Sequence, residues 1–370
     1  MATPDTTTTT LKNNKGVRIS PLLQKQDKDD YNHPSSNTNE EEKYLAYLPH
    51  SGLSNQRIEL ANALLLSYMT NRTLIVPPAF LGSVFGWMQR DQLLDRLDWL
   101  TTPKAFTKIC QSPTPGELAT YVQRSRCSEY RQFAIMDWTE IHDFSPLTEL
   151  GINIKFQQIF SMTQIKNDLQ ITNDERDIYL HQDTQLYDWR LYQNMTEAAV
   201  LHYRMDTRIG DAVKRIVDYM GGKGTFMSVH FRTGDNPFRK EIGNNLRIFR
   251  ENMTQLLVQE EHYHDLQQLN ERQQVKVYIA TDHKDPRNPN RSQLLPWFRD
   301  FPCTTVLKDL PNYLFDPLDT MHDIVVPTKE LRPFLIPIVD AMVAAHGRYV
   351  LTTPRSTFSG YIKELHDVWV

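Results

Sequence analysis

Apolar and polar positions along this chain follow three rhythms. Residues 1–41 hold Thr6 to Thr10 and scattered Asn, Asp and Ser, with almost nothing to bury, and predict a disordered tail. The pattern becomes structured at Tyr44-Leu-Ala-Tyr-Leu48, a short strand-like run that stops at Pro49-His-Ser-Gly-Leu-Ser54. A helical period follows from Asn55 to Thr70. There Ile58, Ala61, Leu65 and Tyr68 fall on one face, with Leu64 and Met69 beside them. Thr73-Leu-Ile-Val-Pro77 reads as a second strand. Strand, glycine turn, helix and strand make a βαβ unit, with its first turn where ligands usually bind.

Between Leu81 and Tyr203 the rhythm is irregular, with helical pieces at Gln92 to Trp99 and Pro115 to Tyr121 and strands at Phe133 to Met136 and Lys155 to Phe160. From Thr207 it is regular again. A helix at Ile209 to Tyr219 precedes a strand at Phe226 to Phe231, and a long helix at Leu246 to Arg272 precedes a strand at Val275 to Ala280. After the Pro/Asn-rich loop Asp285 to Asn290 come a short helix and a strand at Thr304 to Leu307. A helix over Phe334 to His346, a strand over Tyr349 to Thr353 and a last helix opening at Ser356 complete the chain. Alternating strands and helices imply parallel sheets covered on both faces. The expected class is α/β, with two Rossmann-like domains at 42–204 and 205–370 behind the tail.

A length of 370 residues suits two cores, and 40% hydrophobic with 23% charged residues is ordinary for a soluble globular protein. The net charge of −4 gives no reason to expect nucleic acid or an anionic membrane as partner. Between Lys223 and Arg250, however, six Lys/Arg face two acids, a local +4 that suggests an anion site. No apolar run approaches the ~18 residues of a membrane helix, since Phe334 to Ala345 is broken by Pro337 and Asp340, and no early stretch resembles a signal peptide. Cys110, Cys127 and Cys303 lack a C-x-x-C spacing, which disfavours zinc and dithiol chemistry and leaves a Cys110–Cys127 disulfide open. Asn71, Asn194, Asn252 and Asn290 head Asn-x-Ser/Thr acceptors, which matter only in a secretory lumen.

Four polar signals stand at the carboxyl ends of predicted strands, the edge where open α/β sheets bind ligands. They are His50-Ser-Gly-Leu-Ser-Asn-Gln56, His230-Phe-Arg-Thr-Gly-Asp235, Thr281-Asp282 and Arg355-Ser-Thr-Phe-Ser359. His230 and Arg232 leave an extended backbone on one face, and an Arg fork there suits a phosphate. The plainer alternative pairs Arg232 with Asp235. Gly52 lets the backbone turn closely, and Gly234 permits the turn before Asp235. Asn55 is either a helix cap or a ligand group. Ser356 and Thr357 either cap a helix or offer its amino terminus to a phosphate. Asp282 reads equally as a turn residue, and Asp340 as a helix-face carboxylate. Glu261-His-Tyr-His264 has no metal-ligand spacing on a helix, no phosphate-binding P-loop occurs, and the only Asp-x-Asp, Asp27-Lys-Asp29, lies in the tail. The scattered Trp and Tyr form no base-stacking module.

These motifs resemble those of the GDP-fucose protein O-fucosyltransferases. His50-Ser-Gly-Leu-Ser-Asn-Gln-Arg57 is similar to the family's first motif, and His230-x-Arg232-x-x-Asp235 to a second one shared more widely among fucosyltransferases. Tyr278-Ile-Ala-Thr-Asp282 and Ser356-Thr-Phe-Ser359 resemble the later motifs. The resemblance implies a GT-B fold and inverting transfer of fucose from GDP-fucose to a hydroxyl acceptor, a Ser or Thr of a protein, with no metal or other cofactor. It places the acceptor on the side of the first domain and the donor on the second. Arg232 would hold the β-phosphate and stabilise the leaving GDP. Gly52, Asn55, His230, Asp235, Asp282, Ser356, Thr357 and Phe358 would line the donor site, with Asp340 reaching the guanine. Some relatives carry a Glu before the glycine of the first motif as candidate base, where this chain has Ser51. A different donor sugar, a glycan acceptor, or a non-catalytic GDP-sugar-binding module are the alternatives. The resemblance points to the ER or Golgi lumen, and the lack of a visible targeting segment to the cytosol.

Overall fold

Two four-stranded parallel sheets carry the regular part of the chain. They are seen in a computed structural model that describes residues 42–83, 88–111, 121–169, 178–181, 203–259 and 275–370. The predicted tail, the helix expected at Pro115 to Tyr121 save its last residue, and the far end of the long helix lie outside these residues, as do Asn194 and the Glu261 to His264 run.

The first unit contains β1 (Tyr44–Tyr47), α1 (Leu53–Thr70), β2 (Thr73–Val76), β3 (Ala79–Gly82), α2 (Arg90–Thr101), α3 (Tyr121–Gln132), β4 (Phe133–Met136), β5 (Ile154–Phe156) and β6 (Ile178–His181). Its sheet runs β5-β2-β1-β6, every pair parallel, and β3 and β4 form a separate antiparallel pair. The second unit contains α4 (Arg208–Tyr219), β7 (Met227–Phe231), α5 (Phe238–Gln259), β8 (Val277–Thr281), β9 (Thr304–Val306), α6 (Arg332–Ala345), β10 (Val350–Thr352) and α7 (Thr357–Trp369). Its sheet runs β10-β7-β8-β9, again all parallel. Every residue of β1 and β7 is buried, because helices cover both faces of a parallel sheet. That is why β1 reads as a continuous apolar run, while the buried Ser228 and His230 interrupt β7.

Strand order fixes where a ligand fits. In the first sheet the chain builds outward from β1 to β2 and β5, then returns to place β6 on the other side of β1. In the second it builds from β7 to β8 and β9, then returns to place β10 beside β7. Each reversal opens a crevice at the carboxyl end of the central strand. His50 to Gly52 follow β1, Arg232 follows β7, and Arg355 and Ser356 follow β10.

Several elements depart from the pattern. Tyr68 and Met69 are exposed, at 48% and 64%, although their spacing placed them on the buried face of α1. The early turns of α1 are covered on more than one side and bury Gln56, Arg57, Glu59 and Asn62, so one apolar stripe does not describe the helix. The strand expected at Lys155 to Phe160 is only Ile154–Phe156, and Phe160 is instead buried with its N–H on Thr101 Oγ1 at 2.8 Å. The long helix starts at Phe238 rather than Leu246, because the charged Arg239-Lys-Glu241 opening lacks apolar period. Pro77 and Pro78 disguised the edge strand β3.

The units share packing. One apolar cluster contains Leu45, Leu60 and Leu74 of the first and Tyr278, Ile338 and Ile362 of the second. The chain also crosses back at Asp323. This buried carboxylate accepts the N–H groups of Ile135 (2.9 Å), Val325 (2.8 Å) and Val326 (2.9 Å), while Ile324 N–H donates to Ile135 O at 3.0 Å. Lys329 Nζ closes the clip, reaching Asp323 at 3.2 Å and Phe133 O at 2.7 Å.

Candidate active site

The carboxyl ends of both sheets meet across a cleft of about 670 Å³, within the usual range for small-molecule sites. Gly52, Asn55, His230, Arg232, Asp235, Asp282, Asp340, Ser356, Thr357 and Phe358 all line it. Residues from four separate sequence signals therefore surround one space. A second cavity of about 550 Å³ includes Asp137, Glu140, Arg204 and His322 but shares none of these residues, and Arg204 there is paired with Asp206 at 2.7 Å.

Arg232 is held by two carboxylates. Its Nε donates to Asp235 Oδ1 at 3.0 Å, and Nη1 lies 3.2 Å from Asp282 Oδ2. Its backbone N–H donates to Thr353 Oγ1 at 3.0 Å, tying the segment after β7 to the end of β10. The alternatives read from sequence thus coincide: Arg232 pairs with Asp235 and also faces the cleft. Asp282 is largely a turn residue. Its Oδ1 accepts the Thr233 N–H at 2.6 Å and hydroxyl at 2.8 Å, and its Oδ2 accepts the Gly234 N–H at 2.8 Å. A Cβ at position 234 would meet Asp282 Oδ2 at 2.6 Å, so close approach of this carboxylate is what demands glycine there. The local +4 does not form an anion site by itself. Of its six cations only Arg232 lines the cleft, while Arg247 pairs with Glu251 and Arg250 with Asp300.

His230 is buried, with Nδ1 at 2.6 Å from Ser359 Oγ and its ring beside Phe358. Burial lowers its pKa to about 4, so the ring is neutral near pH 7 and adds no charge beside Arg232. Asp340 lies on α6 with Oδ1 accepting from the Tyr278 hydroxyl at 2.5 Å and Oδ2 from the Thr281 N–H at 3.1 Å. Burial outweighs both hydrogen bonds and raises its pKa to about 7. Ser356 caps α7, its hydroxyl accepting the Ser359 N–H at 3.2 Å. The first turn of that helix, with Thr357 and Phe358, thereby points its free N–H groups and positive dipole end toward the cleft.

The first motif divides in two. Ser51, Gly52, Ser54 and Asn55 line the cleft. Helix α1 begins at Leu53 with Gly52 as its cap, so Asn55 sits in the first turn and is not the cap residue. Gln56 is fully buried and pairs with the Phe80 backbone in both directions, at 3.0 and 3.1 Å, holding β3 in place. Arg57 stacks 3.6 Å over the Tyr361 ring and lies 3.4 Å from Glu364, joining α1 to α7. Sequence patterning missed other lining residues, among them Phe238, Phe334 and Ile336, while Arg355, which heads the fourth polar signal, lines the cleft without having been assigned a role. Phe334 and Ile336 were read only as helix core. Arg355 carried a readable signal, since it directly precedes the helix start; it has φ +63° and pairs with Glu241.

Among the described residues no three His, Cys, Asp or Glu are grouped so as to hold a metal ion, and no helix is long and apolar enough to cross a membrane. Cys110 and Cys127 are joined in a disulfide, with Cα atoms 5.4 Å apart.

O-fucosyltransferase 30 of Arabidopsis thaliana is 60% identical over 37 residues, which are 10% of this chain and 7% of that protein. Fucosyltransferase NodZ from Bradyrhizobium aligns over 88% of this chain and 93% of its own at 12% identity and a TM-score of 0.42. POFUT1 in complex with GDP aligns over 84% of this chain and 98% of its own at 9% identity and a TM-score of 0.37. The family model described as GDP-fucose protein O-fucosyltransferase matches residues 44–368, nearly the whole of both units, and the chain belongs to that family.

Proposed function

We propose that this chain transfers fucose from GDP-fucose to a hydroxyl acceptor, a Ser or Thr of a protein, with inversion at the sugar carbon. One observation carries the reading beyond family membership: the Arg232 guanidinium and the amino terminus of α7 converge on one cleft between two sheet switch points. As the bond from the sugar to GDP breaks, negative charge grows on the β-phosphate. A cation already fixed by Asp235 and Asp282 meets that charge with little reorganisation, using its remaining Nη hydrogens. The N–H groups of Thr357 and Phe358 supply further donors to the diphosphate. These groups give the leaving group its positive partners from the chain itself, and we propose that no metal is needed. His230 stays neutral and packs Phe358 into place, and the Asp340 carboxylate accepts from the guanine edge.

A lumenal setting is part of the proposal. The Cys110–Cys127 bond suits an oxidising compartment, and the acceptor Asn71 and Asn290 are exposed. A size shift on glycosidase treatment of the protein expressed through a secretory route tests this.

The deciding experiment measures GDP release from GDP-fucose by the full chain, with EDTA present. Wild type is expected to release GDP slowly in water, and Arg232→Ala to be slower by roughly 10²–10³. Arg232→Lys recovers little, because a point charge does not replace the fork. GDP binding without release, even with candidate acceptors, identifies a binding module. Faster release from another GDP-sugar corrects the donor, and no GDP binding overturns the assignment.

A further inference from the structure

His50, Ser51 and Glu59 have no part in the donor site described above, yet they form a chain of polar contacts ending in the cleft. Glu59, buried on α1, places Oε1 2.7 Å from His50 Nε2 and accepts the His50 backbone N–H on Oε2 at 3.0 Å. His50 Nδ1 lies 2.8 Å from Ser51 Oγ. Ser51 lines the cleft and holds a left-handed backbone, φ +64°, which turns it away from the path of β1. With the Nε2 proton on the Glu59 side of the ring, Nδ1 is left as the acceptor facing the serine hydroxyl. The elements around the imidazole carry few other titratable groups. The phenol of Tyr47, at the end of β1, is held neutral chiefly by burial and also by the Glu59 charge. Arg57, on the same helix as Glu59, is turned onto Tyr361. Burial raises the Glu59 carboxyl above its ordinary range, and its contacts with His50 offset part of that rise.

We propose that Ser51, backed by His50 and Glu59, takes the proton from the attacking hydroxyl. This deepens the transferase reading and rests on it. The acceptor oxygen bonds to the sugar carbon as the bond to GDP breaks, and that electron pair leaves on the β-phosphate. The acceptor proton passes to Ser51 Oγ, and the serine proton passes to His50 Nδ1. The resulting imidazolium is paired with Glu59 until its proton returns through Ser51 to solvent. A serine thereby does the work of a carboxylate at this position, because the basicity sits one residue behind it. His50 and Glu59 act through Ser51 and never touch the substrate.

The test uses the full chain with GDP-fucose and water as the acceptor. GDP release is followed at neutral pH, and GDP affinity is measured by calorimetry. Ser51→Ala should lower kcat about a hundredfold while the Kd for GDP stays within about twofold. Glu59→Gln should also lower kcat with the Kd for GDP again within about twofold, since the imidazolium formed during turnover loses its anion. A Ser51→Ala protein with wild-type kcat, or unable to bind GDP, overturns the relay. If wild type releases GDP and the serine variant matches it, only the relay falls. If wild type releases none, with water or with candidate hydroxyl acceptors, the transferase reading falls and takes the relay with it.

Discussion

His230 and Asp340 are buried ionisable side chains in one cleft whose shifts act on stability in opposite directions. His230 has a folded pKa of about 4, below its ordinary 6.5, so the unfolded chain binds the extra proton between those values and stability falls as pH drops through that window. Asp340 has a folded pKa of about 7, above its ordinary 3.8, so the folded chain binds the extra proton and stability falls as pH rises toward 7. Each is worth roughly 3–4 kcal/mol at full extent, and between about pH 4 and 6.5 they offset one another. Asp340→Asn should therefore unmask the histidine, giving a urea midpoint that climbs steadily from pH 4.5 to 6.5 where wild type is nearly flat. A variant as flat as wild type would contradict this. At this scale the sequence was informative where the residues of one signal stay together: His230, Arg232 and Asp235 reach one cleft from a single short run. It was silent on Phe334, which reaches the cleft only because another chain segment lies opposite. It was ambiguous on Asp282, whose hydrogen bonds go to residues 48 and 49 positions away.

Among the elements, strands buried on both faces and helices with one clean apolar stripe were legible. Those shaped by long-range cover were not, as the exposed Tyr68 and Met69 of α1 show. The clip at residues 323–329 belongs to the second kind. Nothing local marks Asp323 as a surrogate edge for β4, yet it satisfies three backbone N–H groups and a lysine. Asp323→Ala leaves those donors buried and should cost about 3–5 kcal/mol, read as a loss of urea midpoint. Asp323→Asn, which keeps one acceptor oxygen, should cost less. The Cys110–Cys127 bond links α3 to the segment after α2 across a separation of 17 residues. Its loss in Cys127→Ser should cost about 3 kcal/mol by releasing loop entropy in the unfolded chain.

For the molecule as a whole, the alternation of strands and helices made the α/β class and the paired sheets readable, and the switch points follow from strand order alone. The shared core does not follow, because periodicity records which residues are buried and says nothing about against what. Since one apolar cluster spans Leu45 and Leu60 on one side and Ile338 and Ile362 on the other, the units should unfold together. Tryptophan fluorescence and far-ultraviolet circular dichroism should give coincident urea transitions. Two separated transitions would show that the contact between units is weaker than this packing implies.

Gly82 sits where β3 ends and has φ +100°, and a methyl group on it would meet Gln132 O at 2.3 Å and the Phe334 ring at 2.9 Å. Both Gly82 and Phe334 line the cleft, one from each unit. A side chain there would press first on the Gln132 backbone of its own unit and then on the Phe334 ring of the other, much as an added shim parts two plates. Enlarging position 82 should prop the units apart without altering any polar group in the cleft. GDP affinity should survive better than turnover, and bulkier hydroxyl compounds should gain ground relative to small ones. Acceptor size, on this view, is tuned by a residue that has no chemistry of its own.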